Sequence, residues 1–174
     1  YNGKNLGEIV PYLKALAGVI GVVDDVDDLL FVNGIVIKKI IKEEAKKRNT
    51  VILAHTYQNP DIIDVSDVTG DSFFLSQKAK ELKGKRVIMC GVRFMAESVK
   101  ILSPETEVIL PVPSATCLMA EQISPERVRE FKKENPDTAV VAYINTTAAL
   151  KAECDVCVTS SSAIKIVKAL KEKD

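Results

Sequence analysis

Short apolar runs alternate with longer amphipathic stretches along most of this chain, and that rhythm restricts the fold more than any other feature of the sequence. Val51-Ile52-Leu53-Ala54, Arg86-Val87-Ile88-Met89-Cys90, Glu107-Val108-Ile109-Leu110, Ala139-Val140-Val141-Ala142-Tyr143 and Asp155-Val156-Cys157-Val158 read as strands. Between and around them, helical spacing runs from Val36 to Ala45 (with a basic exit at Lys46-Lys47-Arg48), Phe73 to Leu82, Phe94 to Leu102, Pro125 to Lys133 and Ile164 to Lys171. Gly84 stops the second of these, and Ser124 is placed to cap the fourth, with Pro125 at its first helical position. Strands that alternate with helices pair in parallel through crossovers, which puts helices on both faces of the sheet. The fold class is α/β.

Composition narrows the function. With 47% hydrophobic and 28% charged residues, the 174-residue chain can bury a core. Lys plus Arg number 24 and Asp plus Glu 24, so there is no basic excess of the kind that phosphate backbones require, and nucleic acid is not the expected partner. No apolar run approaches the roughly 20 residues of a membrane span, and no membrane partner is expected. Tyr1-Asn2-Gly3-Lys4-Asn5 lacks the order of a secretory signal. Four cysteines without an export signal are read as reduced thiols or metal ligands in a cytoplasmic protein.

The chain also echoes itself. Val99-Lys100-Ile101-Leu102 returns as Val167-Lys168-Ala169-Leu170, 68 residues later, so a strand–helix unit is expected twice. The same offset sends the strand at Glu107 to position 175, and the second unit is expected to be incomplete. The organisation read from this is an atypical segment 1–34, a first α/β unit 35–122 and a second unit 123–174. Within the first segment Ile9 to Ala17 reads as a helix, Val19 to Val23 as a strand and Asp24-Asp25-Val26-Asp27-Asp28 as a solvated turn.

Chemistry concentrates where strands end. The polar segment from His55 to Ser72 follows a buried strand, the position at which open α/β sheets bind ligands. It contains the only histidine, with Tyr57 two residues on, and Gly70-Asp71-Ser72 opens a helix whose amides favour an anion. Alone, His55 reads better as a satisfied core group and Ser72 as a cap; together with Tyr57 they read as a site. Tyr143-Ile144-Asn145-Thr146-Thr147 and Thr159-Ser160-Ser161-Ser162 form two further polar lips, which converge with the first if the strands are parallel. Cys117 follows a strand and is expected at a helix start, where a thiolate is stabilised, although a buried structural cysteine fits equally. Cys154-Asp155-Val156-Cys157 has a metal or redox spacing, but on a strand residues three apart face opposite ways, so these two and Cys90 are read as core cysteines. A thiol oxidoreductase using Cys154 and Cys157 ranks last among the functions.

In order and spacing, His55-Thr56-Tyr57-Gln58, the Pro60 to Ser72 run, Gly91-Val92-Arg93-Phe94-Met95-Ala96-Glu97, Lys100-Ile101-Leu102, Ala115-Thr116-Cys117, Tyr143-Ile144-Asn145 and Thr159-Ser160 resemble the quinolinate synthase family from about Ile35 onward. The resemblance implies repeated three-layer α/β units with short, mainly parallel sheets, the third unit being absent here. It implies condensation of iminoaspartate with dihydroxyacetone phosphate to quinolinate, a precursor of NAD, at a [4Fe–4S] cluster acting as Lewis acid. It also implies Cys117 as a cluster ligand, His55 and Ser72 as carboxylate holders and Tyr57 in proton transfer. Tyr143, Ile144, Asn145 and Ser160 would complete the substrate contacts. Only one of the family's three cysteine ligands is matched. The alternative reading is therefore a non-catalytic relative that binds dicarboxylate or phosphate without a cluster. Self-association, or association with a separately encoded third unit, is expected in either case.

Overall fold

The computed structural model of the chain describes residues 34–170. The helix, strand and acidic turn expected between Ile9 and Asp28 lie outside them. The chain divides into two compact units, Tyr1–Ala115 and Thr116–Asp174.

In the first unit, helix α1 (Gly34–Lys47) ends on Lys46 and Lys47, whose charges suit the negative end of its dipole. Asn49 turns the chain with a positive φ of 49°, and β1 (Thr50–His55) follows. Then come α2 (Pro60–Val65), β2 (Val68–Gly70), α3 (Ser72–Ala79) and a short 3-10 turn at Lys80–Leu82. Gly84, at φ 74°, reverses the chain into β3 (Arg86–Cys90), followed by α4 (Arg93–Leu102) and β4 (Glu107–Ile109). The four strands form one parallel sheet in the order β2-β1-β3-β4.

The two central strands explain why their sequences are almost continuously apolar. Ile52, Ala54, Ile88 and Cys90 face one way and pack with Ile41 and Ala45 of α1 and Ile62 and Val65 of α2. Leu53, Val87 and Met89 alternate with them and are equally buried, so both faces of β1 and β3 are covered. On its own side, α3 lies against β1, β2 and α4, and contributes Leu75 and Ala79 to the buried set.

The second unit carries α5 (Pro125–Glu134), β5 (Val141–Tyr143), α6 (Ala148–Glu153), β6 (Val156–Val158) and α7 (Ala163–Ala169). Ser124 caps α5 as expected, its hydroxyl accepting the Arg127 N–H at 3.3 Å. Strands β5 and β6 pair in parallel as a separate two-stranded sheet. The strand-end lips therefore do not belong to one common sheet, as their expected convergence assumed: β1 stands in the first sheet, β5 and β6 in the second.

The second unit repeats the first, but in a different phase from the one the sequence echo gives. Leu53 pairs with Val68 and Val141 with Val156, and α2 begins at Pro60 while α6 begins at Ala148; every equivalent pair is 88 residues apart. The order α1-β1-α2-β2-α3 returns as α5-β5-α6-β6-α7. Even the caps correspond, Asn59 accepting the Asp61 N–H at 3.0 Å and Thr147 the Leu150 N–H at 3.2 Å. Helix α7 is thus the counterpart of α3, not of α4. The 68-residue echo matched two helices that share a short apolar pattern at different places in the repeat, α4 with buried Val99 and α7 with no buried residue.

Two helices were not visible in the sequence, α2 inside the supposed loop after His55, and α6. Each spans six residues, too short for a 3.6-residue period to register. None of the described helices is long and apolar enough to cross a membrane.

Candidate functional site

In the first unit, β1 ends at His55 and β2 at Gly70, and these two residues are partners in the ladder. Thr56 extends the pairing, its N–H donating to Gly70 O at 3.1 Å, and Gln58 N–H turns back to His55 O at 2.9 Å. Within that turn the Tyr57 backbone N–H donates to His55 Nδ1 at 3.2 Å. With Nδ1 accepting, the neutral imidazole carries its proton on Nε2 and offers it as a donor. Burial holds the His55 pKa below its ordinary 6.5, against an opposing pull from the Asp71 carboxylate. The Tyr57 ring stands edge-on to the imidazole at 4.6 Å and is 91% exposed, leaving its phenol free to meet a ligand.

Ser72 begins α3 but does not cap it. That role belongs to Asp71, whose carboxylate accepts the Phe74 N–H at 2.8 Å and so occupies one of the amides that the sequence offered to an anion. Ser72 is buried, and its hydroxyl has no partner among the described residues. The backbone carries Ser72 to the same end of the sheet as His55, because Gly70 sits opposite His55. A side chain at Gly70 would collide with the Phe74 ring, 2.2 Å from where its Cβ would stand.

The second unit builds the same arrangement from different residues. Tyr143 ends β5 half-exposed, and Ile144 N–H donates to Val158 O at 2.8 Å, as Thr56 does to Gly70. Thr146 and Thr147 prove structural: the first donates to Ala120 O at 2.9 Å and the second caps α6. The Asn145 side chain between Tyr143 and these threonines has no partner among the described residues. In the hydroxyl run, Thr159 bonds Ser161 at 3.0 Å and Ser162 at 2.9 Å, while the exposed Ser160 stays outside that network. The 88-residue repeat makes Tyr143 the counterpart of His55, Asn145 of Tyr57 and Ser160 of Ser72. The side chains with hydrogen-bonding capacity left over in one unit (His55 at Nε2, Tyr57, Ser72) are the counterparts of those in the other (Tyr143, Asn145, Ser160).

The cysteines divide differently. Cys117 is half-buried and precedes a turn in which its carbonyl accepts the Ala120 N–H at 2.9 Å. No helix starts there, since the next begins at Pro125, so Cys117 does not stand at the helix start expected for it. Arg93 fixes the chain just upstream, through its N–H to Ala115 O at 2.8 Å and its guanidinium to Pro113 O at 2.7 Å. Cys90 is a core residue, burial pushing its thiol up to about 12. Cys154 and Cys157 are half-buried rather than core. The Cys154 thiol donates to Leu150 O at 3.1 Å, and burial together with the neighbouring Cys157 raises its pKa. All four cysteines and the one histidine are described, and no group of three or more His, Cys, Asp or Glu side chains among the described residues is arranged to hold a metal. One thiolate does not hold a [4Fe–4S] cluster, so the described residues do not fit that group by themselves.

Sequence reasoning left Asp67 and Asp71 without roles. Asp71 carries a signal in hindsight, an Asp three residues before a helical amide it can accept from. Asp67 gives no such signal, because its partner lies in another strand.

The family model for quinolinate synthetase A protein (NadA) matches residues 39–174. The chain is 52% identical over 134 residues to the quinolinate synthase of Clostridioides difficile (strain 630), covering 77% of this chain and 44% of that protein. To the quinolinate synthase of Aquifex aeolicus (strain VF5) it is 47% identical over 137 residues, covering 79% of this chain and 42% of that protein. To that of Alkaliphilus metalliredigens (strain QYMF) it is 51% identical over 130 residues, covering 75% and 43%. The chain thus spans less than half the length of these relatives. A parallel α/β repeat, histidine and serine at neighbouring strand ends, and identity near one half over three quarters of the sequence place it in the quinolinate synthase family.

Proposed function

We propose that this chain supplies substrate-holding lips of a quinolinate synthase, which joins iminoaspartate to dihydroxyacetone phosphate and releases phosphate and water to give quinolinate. The observation that carries this reading is the set of polar groups left available at equivalent strand ends, His55 Nε2 and the Ser72 hydroxyl in one unit, the side chains of Tyr143 and Ser160 in the other. His55 Nε2–H and the Ser72 hydroxyl are two donors suited to one carboxylate. The Tyr57 phenol, beside the imidazole, moves a proton at the condensing carbons. In the second unit Tyr143, Asn145 and Ser160, with the backbone of Ile144, make substrate contacts of their own.

Cys117 serves a cluster only where further thiolates come from polypeptide beyond this sequence. Exposed Leu118, Met119 and Ile164 (85%, 79% and 72% exposed) support association with such a partner or with a second copy. The lack of a three-thiolate group favours a second reading for the isolated chain: it binds a dicarboxylate or phosphate and does no chemistry. Both readings require the lips to bind without iron.

Titration of the iron-free chain with succinate by calorimetry tests this. The wild type is expected to bind, and Ser72→Ala to bind roughly tenfold more weakly, the loss of one neutral hydrogen bond. A wild type that takes up no succinate, or a Ser72→Ala variant that binds as tightly, would overturn the assignment of the lips. Quinolinate formation after anaerobic supply of iron, sulfide, both substrates and a polypeptide carrying the further thiolates would separate the enzyme from the binding module.

A further inference from the structure

Asp67 makes a reciprocal pair with Ile52 across the first sheet: its N–H donates to Ile52 O at 2.8 Å, and its carboxylate accepts the Ile52 N–H at 2.8 Å. Asp155 does the same to Val140, its N–H donating at 2.9 Å and its carboxylate accepting at 2.8 Å. These aspartates are 88 residues apart, as are Ile52 and Val140, so the device belongs to the repeat. Each stands immediately before the second strand of its pair, at the end of the strand away from the lip. At the lip end the same pair is closed by Thr56 to Gly70 in one unit and Ile144 to Val158 in the other.

We propose that Asp67 and Asp155 are positioning residues that set the register of β2 on β1 and of β6 on β5, and through it the placement of Ser72 against His55 and of Ser160 against Tyr143. Strands β2, β5 and β6 are only three residues long and each pair shares three register positions, so the ladder alone fixes them weakly. A slip of one residue moves Gly70-Asp71-Ser72 by about 3.3 Å along β1, beyond the range in which one ligand reaches both donors. Ile52 is 1% exposed, so without the carboxylate its N–H is left in the core with no acceptor, and that cost resists any other register. Neither aspartate touches the lip itself. In the second unit Lys132 holds the other carboxylate oxygen of Asp155 at 3.0 Å, which keeps the clamp oriented.

The proposal rests on reading the lips as a ligand site, and amide exchange together with succinate binding on the full chain separates the two ideas. In the wild type the Ile52 amide should exchange as slowly as Ile88, which reports global opening. Asp67→Ala should speed exchange at Ile52, and also at Thr56 at the far end of the strand, by about 10- to 100-fold relative to Ile88, and weaken succinate binding by a similar factor. Asp67→Asn keeps an oxygen acceptor and should restore most of both. Asp155→Ala should act likewise on Val140 and Ile144. An Asp67→Ala variant that folds, exposes Ile52 alone and binds succinate normally would overturn the proposal. So would fast exchange of Ile52 in the wild type, which decides the matter even if Asp67→Ala does not fold. A wild type that binds no succinate defeats the ligand reading only, and the Thr56 and Ile144 amides still decide whether the aspartates set the register.

Discussion

His55→Ala is expected to weaken succinate binding by about 10- to 100-fold, the cost of losing a hydrogen bond to a charged group. The imidazole is held for this task by backbone alone: the Tyr57 N–H satisfies Nδ1, and the turn that supplies it is closed by Gln58. His55→Gln keeps a donor and should recover part of the loss, whereas His55→Ala should not alter the fold, since the side chain is only partly buried and makes no core contact in the hydrophobic cluster. Calorimetry on the three proteins, with circular dichroism as the check on folding, gives the comparison. Equal affinity in all three would remove His55 from the site.

Ile88→Ala is expected to cost about 2–5 kcal/mol of unfolding free energy. Ile88 is fully buried at the centre of β3, between β1 and β4, and belongs to the cluster that joins the sheet to α1 and α2. Truncation leaves a cavity that the flanking strands cannot close without moving the ladder that positions His55. The control is Ile164→Ala at a site 72% exposed, expected within about 0.5 kcal/mol of the wild type. Urea denaturation followed by circular dichroism measures both. A loss below about 1 kcal/mol for Ile88→Ala would mean that the sheet is not the stable body of the first unit.

Much of this was legible in the residues. Arg86 to Cys90 was bounded correctly because its side chains are buried on both faces, which demands an uninterrupted apolar run. Ser124 was legible as a cap because Ser before Pro leaves little else for that backbone to do. The short α2 and α6 were not, because their only buried side chains are Ile62 and Val65 in one and Leu150 in the other, too few to make a period. Asn145 and Ser160 were legible as members of polar runs, but which hydroxyls and amides are spent on capping depends on contacts that cross the chain, such as Thr146 to Ala120. The phase of the repeat was hidden for a related reason. It is written in backbone pairing and in two aspartates, whereas the short apolar pattern behind the echo recurs in helices at different places in the repeat.

The pH dependence follows from the direction of one shift. His55 titrates below its ordinary 6.5 because burial disfavours the charged form, so the folded chain binds fewer protons than the unfolded one as pH falls through that range. Its contribution to stability is complete above the ordinary value and is lost as pH falls toward the folded-state value. A bound dicarboxylate reverses the bias by stabilising the imidazolium, so succinate should bind more tightly as pH is lowered from about 8 to 6. The chain has a single histidine, and its Cε1 proton is therefore one unambiguous NMR resonance. Its titration without and with saturating succinate is the most direct test that His55 holds a carboxylate. The expected result is a midpoint below 6.5 in the free chain that moves upward with the ligand; a curve that succinate leaves unmoved would contradict it.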